Sequence, residues 1–186
     1  MIEIRKARPA DAIAIGAVHV AAWRSTYPGI LPESYLAGMS VSRNAAHYDQ
    51  AIHRGTGVMV AIASGEDVPE GSGSRIVGFT TADKARGRGA SLADGEIETL
   101  YVLDDWRDQG IGRHLIRAAG EHLREIGCTS AFLWVLRDNP SRWFYQHLGG
   151  KAAMEAEVRV AGETVSQTAF VWNPIATLLA NARQPS

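Results

Sequence analysis

The sequence predicts a single α/β (α+β) domain, and three observations lead to this prediction. The chain has 186 residues, of which 46% are hydrophobic, so one domain can bury a full-sized core. Short segments with strand-like or helix-like hydrophobic spacing follow one another, separated by glycine and proline. Residues 96–136 run as a strand, a glycine turn, a helix and an apolar strand, which predicts a right-handed parallel βαβ unit.

The N-terminal part of the chain predicts one strand and two helical stretches. Residues 2–7 include apolar side chains that alternate with charged ones, as in a strand. Pro9 and Asp11 then open a helix, because proline suits the first helical turn and a carboxylate favours its positive end. This helix ends at the Pro-Gly pair at 28–29. A second helical stretch at 32–54 is broken once, at a Gly-Met-Ser segment.

The remainder of the chain predicts six more strands and two more helices. The predicted strands cover residues 58–63, 75–82, 96–103, 129–136, 153–160 and 164–172, and the predicted helices cover residues 110–126 and 141–148. Residues 65–74 are predicted to be a mobile hairpin loop, and residues 83–95 a second loose loop. The domain is assigned to residues 1–172, and residues 173–186 are predicted to be a tail with a weak helical start.

Charge and cysteine content exclude several classes of protein. The formal net charge is −1, so the field that a nucleic-acid-binding protein needs is missing. Cys128 is the single cysteine, so no disulfide forms within the chain, and no Cys/His cluster has metal-ligand spacing. Residues 1–7 form a strand pattern instead of a signal peptide, and no apolar run is long enough for a bilayer. We therefore predict a cytoplasmic protein without bound metal.

A glycine turn between the strand at 96–103 and the helix at 110–126 is a candidate phosphate site. It reads W-R-D-Q-G-I-G-R, and Gly110 and Gly112 allow a tight turn and close approach of a ligand to the backbone. Unpaired N–H groups and the positive dipole end of the next helix suit a pyrophosphate. A plain strand-to-helix connection has the same pattern. The third glycine of a dinucleotide fingerprint is missing, which counts against an oxidoreductase.

Three motifs in order resemble the GNAT family of N-acetyltransferases. They are an E-I-x-x-L-x-V strand that begins at Glu96, the R-x-x-G-x-G turn that begins at Arg107, and a segment with Asn139 before F-Y-x-x-L-G. The order of elements is similar over nearly the whole chain. The resemblance implies a mixed, mostly antiparallel sheet of about seven strands, flanked by about four helices. It also implies that the central parallel strands, 96–103 and 130–136, splay apart.

The resemblance further implies that acetyl-CoA is the acyl donor and that its pantetheine arm enters the gap between the splayed strands. The backbone of the first strand would bond to that arm and to the acyl carbonyl, and the turn would hold the pyrophosphate. The implied cofactor-binding residues are Leu100, Tyr101, Val102, Arg107, Asp108, Gln109, Gly110, Ile111, Gly112, Arg113 and Asn139.

The implied reaction is the attack of an amine on a thioester, which needs a proton acceptor, since an amine with a pKa of about 10.4 is mostly protonated at neutral pH. Glu96 is the candidate base, because the family often carries a glutamate at this position and a central strand should raise its pKa. Glu98, two residues further on, is the second candidate and could instead bind the substrate ammonium. Both could also be solvent-facing residues of a half-exposed strand.

Tyr145 is the candidate acid for the leaving thiolate. The resemblance places it beside the sulfur, and a phenol with a pKa of about 10 stays protonated and able to donate. The alternative is an aromatic side chain that packs its helix against the sheet. Asn139 has two interpretations as well, an amide that bonds to the cofactor or a cap for the next helix.

The acceptor site is predicted at Trp23 and Tyr27, which follow His19 at four-residue intervals on the first helix. The same stripe also fits a core face. The predicted acceptor is a small-molecule or peptide amine. No nucleic-acid or membrane partner is predicted, and the sequence is compatible with a homodimer. The rival function is an acyl-CoA-binding module without catalytic turnover.

Overall fold

The structure is a computed structural model that describes residues 1–65, 68 and 73–183. Within these residues the chain forms a seven-stranded sheet with helices on both faces. The strands are β1 (Ile2–Lys6), β2 (Gly57–Ser64), β3 (Ser74–Lys84), β4 (Gly95–Val102), β5 (Ala131–Leu136), β6 (Lys151–Val160) and β7 (Glu163–Trp172). The helices are α1 (Ala12–Thr26), α2 (Glu33–Ala37), α3 (Val41–His53), α4 (Ile111–Glu125), α5 (Arg142–His147) and α6 (Ile175–Asn181).

The sheet has the mixed, mostly antiparallel arrangement predicted from the sequence. Its strand order is β1-β2-β3-β4-β5-β7-β6, and β4 and β5 are its parallel pair. This pair is joined at two positions, where Gly95 lies opposite Ala131 and Glu96 opposite Phe132. Beyond these residues β4 remains paired with β3, and β5 with β7, while the two central strands separate. The predicted fold class and the splayed central pair are therefore confirmed.

The helices cover opposite faces of the sheet. α1 and α3 pack against each other, and buried residues of both, such as Ile15 and Tyr48, join Phe79 of β3 in one core cluster. α4 covers the other face, where Ile116 and Leu123 pack against residues from β4, β5 and β7. We call these two faces the α1 side and the α4 side. Among the described residues, no helix is long and apolar enough to cross a membrane.

The described residues contain six α-helices instead of about four, for two local reasons. The predicted break in the stretch at 32–54 is complete, because Gly38 caps the end of α2 and Ser40 begins α3. The Ser40 hydroxyl accepts a hydrogen bond from the Arg43 N–H at 3.2 Å, a standard N-cap. The sixth helix, α6, lies where the sequence predicts a tail.

α6 is part of the hydrophobic core. Ile175, Leu178 and Leu179 are buried, and Leu178 joins the cluster formed by α4 and β5. Gly120 of α4 makes room for α6, since a Cβ built on it would lie 3.0 Å from a methyl carbon of Leu179. The helical start predicted for residues 173–186 corresponds to α6, and the pattern I-A-T-L-L-A places its large apolar residues on one helical face.

The two predicted loops have different outcomes. Most of the hairpin loop at 65–74 lies outside the described residues. The second loop is more ordered than predicted: β3 extends to Lys84, and residues 87–91 form a short 3-10 helix. The Asp94 carboxylate fastens the end of this loop to the start of β5, because it accepts hydrogen bonds from the backbone and hydroxyl groups of Thr129 and Ser130.

Candidate functional site

A cleft of about 770 Å³ opens where β4 and β5 separate, and it crosses the sheet. On the α4 side it is lined by Leu133 and Val135 of β5 and by Tyr145 of α5. On the α1 side it is lined by Trp134 and Leu136, the alternate residues of β5. A volume in this range is typical of sites for small ligands.

The glycine turn forms one wall of the cleft. Gly110 has a φ of +76° and Asp108 a φ of +59°, so the chain reverses through two left-handed residues before α4 begins at Ile111. The N–H groups of the first turn of α4 have no intrahelical partners. A Cβ built on Gly112 would meet one neighbour within 4 Å, Phe144 at 3.6 Å, so space lies above the backbone. This arrangement suits a phosphate group.

The polar side chains of the turn bond mainly to protein groups. Arg107 donates to Thr26 Oγ1 at 3.0 Å and pairs with Asp104 at 2.8 Å, which ties the turn to the end of α1. Gln109 donates to the carbonyl oxygen of Asp105. Arg113 donates through one terminal nitrogen to the carbonyl oxygen of Asn181. The Nε atom of Arg113 is buried without a partner among the described residues, so this side chain retains one donor beside the cleft.

The edge of β4 that faces β5 lines the cleft where the cleft passes from one face of the sheet to the other. The residues from Ile97 to Val102, among them Leu100 and Tyr101, line the cleft. Past Glu96 the β5 edge of β4 has no paired strand within the described chain, because its ladder with β5 ends there. Backbone groups on this edge are therefore available to an extended ligand.

A β-bulge interrupts β4 at the level of the two glutamates. Thr81 of β3 lies opposite Thr99, but Ala82 lies opposite Ile97, which leaves Glu98 without a partner residue. The Thr81 and Thr99 hydroxyls are 2.8 Å apart, and the Thr80 hydroxyl donates to the Thr99 carbonyl at 2.7 Å. Bulges often lie beside functional sites, and Glu98 at this bulge is exposed and lines the cleft.

Glu96 and Glu98 occupy different environments. Glu98 is exposed and lines the cleft, whereas Glu96 is half-buried and lies just outside the lining. Burial, with a smaller contribution from the negative charge of Glu98, raises the pKa of Glu96 to about 7. A carboxyl group with this pKa can accept a proton at neutral pH and release it again.

Tyr145 lies in the cleft wall on the α4 side, with 7% of its surface exposed. Burial raises its pKa, with a smaller contribution from Tyr27, so the phenol is protonated at neutral pH. Its hydroxyl makes no hydrogen bond within the described part of the chain, so it can donate to a ligand. Its ring also packs against Phe170 and Trp172. Both sequence-based interpretations of Tyr145, packing and donation, are therefore compatible with its position.

Asn139 links three elements at the end of β5. Its Oδ1 accepts a hydrogen bond from the Ser141 N–H at 2.9 Å, which fixes the turn that leads into α5. Its Nδ2 donates to the Tyr27 hydroxyl at 3.1 Å. Asn139 lines the cleft and contacts the chain through both ends of its amide. The N-cap of α5 is Ser141, so Asn139 fixes the turn before the helix and does not cap it.

Trp23 and Tyr27 line the cleft on the α1 side and also pack in the core. Tyr27 is 6% exposed and clusters with Leu31 and Leu36. The buried indole Nε1 of Trp23 has no hydrogen-bond partner among the described residues. Burial raises the pKa of the Tyr101 hydroxyl, and the nearby Trp23 indole opposes part of this rise, although the two groups do not reach hydrogen-bond geometry.

A histidine–tyrosine pair that lies behind Trp23 was not predicted from the sequence. Tyr48 of α3 is buried, and its hydroxyl is 2.6 Å from His19 Nδ1. Burial, with a contribution from His47, lowers the pKa of His19 to about 4, so the ring is neutral. The His19 ring stacks on Trp23 and thereby holds the indole against the cleft. The four-residue spacing on α1 marked His19, but no sequence signal pairs it with α3.

Five cleft residues on the α1 side were also missed. They are Trp134, Leu136, Val158, Val160 and Gln167. They share one face because Leu136 lies opposite Gln167, Gln167 opposite Ala156, and Val158 opposite Val165. Alternation along each strand was visible in the sequence, but only the pairing of β5, β7 and β6 brings these residues into one surface.

The model of the Acetyltransferase (GNAT) family matches residues 21–149, which include the glycine turn, both glutamates and Tyr145. The chain belongs to the GNAT acetyltransferase family. An uncharacterized N-acetyltransferase of Bacillus subtilis (strain 168), YuaI, is 30% identical to this GNAT chain over 178 residues, which cover 96% of each protein.

Solved structures of GNAT proteins share the fold. Arabidopsis thaliana NAA60, in complex with a bisubstrate analogue, superposes with a TM-score of 0.69 at 19% identity, covering 92% of this chain and 97% of that one. YncA from Salmonella typhimurium, a putative acetyltransferase solved with its cofactor acetyl-CoA, has a TM-score of 0.66 at 18% identity, covering 92% and 93%. At these identities the likeness concerns the fold.

Proposed function

We propose that this protein is an acetyl-CoA-dependent N-acetyltransferase that moves the acetyl group to an amine by direct attack within a ternary complex. The observation that carries the proposal is the cleft itself. It crosses the sheet from a glycine turn suited to phosphate to a surface with carboxylates and aromatic side chains. A donor entering on the α4 side and an acceptor on the α1 side would meet between β4 and β5. The acetyl-CoA bound to the Salmonella protein supports this choice of donor.

In this proposal the turn at 107–113 binds the pyrophosphate through the backbone N–H groups at the start of α4. The helix dipole and the free Nε of Arg113 favour the negative charge. The pantetheine arm then lies along the unpaired edge of β4 at Leu100, Tyr101 and Val102. A backbone N–H on that edge bonds to the thioester oxygen and stabilises the oxyanion that forms during attack. Asn139 acts by holding the wall at Tyr27 in place.

The amine nitrogen attacks the thioester carbon, and the carbon–sulfur bond breaks as the amide forms. Each acceptor ammonium must lose a proton to become a nucleophile, and Glu96 accepts that proton through a water molecule, because its pKa of about 7 suits this step. Glu98, which remains exposed at the cleft, attracts the ammonium. The Tyr145 hydroxyl donates a proton to the leaving thiolate. The attacking nitrogen releases its second proton to solvent, from which Tyr145 is reprotonated, and Glu96 later releases the first proton to solvent. The products are an N-acetyl amine, CoA and one proton.

The test is a thiol-release assay with acetyl-CoA over a library of primary amines, with amine-free reactions as the control. We expect release of CoA that depends on the amine and an acetylated product of matching mass. Calorimetry with acetyl-CoA is run in parallel. Tight binding without turnover for any amine would contradict the proposal and favour the rival function, an acyl-CoA-binding module.

A further inference from the structure

The α1 side of the cleft contains a largely apolar surface that is not fully buried. Trp134, Leu136, Val158 and Val160 are each half-buried and face the cleft together with Gln167. We call these five residues the acceptor floor. Apolar strand residues on the inner face of a small sheet are normally covered, so this surface fits an apolar ligand group. It lies across the sheet from the glycine turn and is therefore separate from the region proposed for the donor.

The charges around the acceptor floor favour a cation and disfavour an anion. Of the described residues that line the α1 side, Glu98 carries a negative charge, and Glu96 lies beside it. Of the two arginines of the cleft, Arg107 is paired with Asp104 and donates to Thr26 at the end of α1, and Arg113, in the first turn of α4, donates to the Asn181 carbonyl. An ammonium therefore finds a counter-ion here, whereas a carboxylate next to it would be desolvated without one.

Gln167 adds one neutral polar group to the acceptor floor. Its side chain makes no hydrogen bond within the described part of the chain, and it lies between the apolar residues of β5 and β6. It can therefore orient a hydroxyl or carbonyl of a ligand without favouring a charge.

We infer that the acceptor is a primary amine with an aliphatic or aromatic body and no carboxylate beside the amino group. This inference rests on the proposed acetyltransferase function and specifies its substrate class. The apolar body lies on the acceptor floor, and the ammonium lies toward Glu98 before it loses its proton. Free amino acids, and peptides whose backbone continues from the amine carbon as a polar chain, fit this site poorly.

The experiment compares matched amines by kcat/KM at saturating acetyl-CoA. Phenethylamine and L-phenylalanine differ by one carboxylate, and we expect phenethylamine to be preferred about 100-fold or more. In the series from propylamine to hexylamine, each added methylene should raise kcat/KM by roughly 4-fold until the acceptor floor is covered. Two polar amines are also tested: spermidine, and a peptide with a free N-terminus.

Two variants on β6 test whether the acceptor floor causes the preference for apolar amines. Val158→Thr is nearly isosteric and places a hydroxyl on the acceptor floor, so kcat/KM for phenethylamine should fall several-fold while acetyl-CoA affinity is unchanged. Glu157→Gln, on the opposite face of the same strand, is the control and should change neither. Preference for phenylalanine, the peptide or spermidine would overturn the inference but leave the acetyltransferase function intact. Absence of acetylation with every amine, despite acetyl-CoA binding, would contradict both this inference and the proposed acetyltransferase function.

Discussion

Two carboxyl groups on one strand, Glu96 and Glu98, have different roles in the proposed function because their surroundings differ. Glu98, at the bulge, is exposed, whereas Glu96 is half-buried. Desolvation of Glu96 raises its pKa to about 7. The folded protein therefore binds a proton more readily than the unfolded chain between its ordinary pKa of 4.5 and about 7. It follows that ionised Glu96 lowers stability above pH 7, where it is most useful as a base.

Glu96→Gln should separate these two effects. We expect kcat to fall at least tenfold at pH 7 and the defect to shrink toward pH 9, where free amine becomes abundant. The thermal midpoint above pH 7 should rise, because the ionised carboxylate no longer has to be desolvated, and the gain should fade toward pH 5. A pH series of kcat and of thermal melts checks both. Equal activity of Glu96→Gln and wild type at every pH, with a defect in Glu98→Gln instead, would transfer the role of base to Glu98.

Tyr145→Phe tests the donor of the proton at sulfur. The phenol is buried, protonated and without a hydrogen-bond partner in the described chain, so removal of its oxygen leaves the packing of the ring unchanged. We expect kcat to fall about 10- to 100-fold with acetyl-CoA affinity and thermal midpoint nearly unchanged. The measurement is steady-state kinetics with calorimetry. A loss of acetyl-CoA affinity equal to the loss of rate would instead make Tyr145 a binding residue.

Among the secondary-structure elements, α6 contacts both α4 and the turn that follows α5, and these two elements carry site residues. It packs on α4, and the backbone carbonyl of Asn181 accepts the hydrogen bond that positions Arg113. Asn181 also donates to the Leu148 carbonyl, next to the turn at the end of α5. The position of the glycine turn and of Tyr145 therefore depends on a helix that lies outside the region matched by the family model, which ends at residue 149.

Leu178→Ala measures how much α6 contributes. Leu178 is completely buried in the cluster around α4 and β5, and truncation of such a leucine costs about 2–5 kcal/mol of unfolding free energy. Chemical denaturation checks this value. Ala176→Ser, on the exposed face of the same helix, is the control and should change stability by no more than about 0.5 kcal/mol. A value within that range for Leu178→Ala as well would mean that α6 is not needed for the fold.

For the whole molecule, the sequence predicted the order of the strands and helices along the chain, and the family resemblance implied the central splay. Each depends on local patterns, such as the apolar run of β5 or the glycines that follow β4, and on a resemblance carried by three motifs. The register could not be predicted. The bulge at Glu98 arises from the pairing of β4 with β3, and no residue type in β4 marks it. The His19–Tyr48 pair and the acceptor floor likewise bring together residues far apart in the chain.

Some features of the candidate site were predicted from the sequence, and others depend on contacts between distant parts of the chain. The position of the glycine turn followed from the sequence, but the additional left-handed residue Asp108 and the protein partners of Arg107 did not. The dual role of Tyr27, which packs in the core and bonds to Asn139, depends on how closely α1 approaches the end of β5. Such distances are set by the packing of the whole domain.

In the proposed function the turn before α4 binds the pyrophosphate of CoA through its backbone, and calorimetry of CoA with Gly112→Val measures this binding. Gly112 has an ordinary φ, and a Cβ on it meets Phe144 at an unstrained 3.6 Å, so the variant should fold. His114→Ala, an exposed change in the same helical turn, is the control. We predict a loss of CoA affinity of at least about tenfold for Gly112→Val, with an unchanged thermal midpoint, and no loss for His114→Ala. Unchanged CoA affinity in folded Gly112→Val would mean that the pyrophosphate does not bind at this turn.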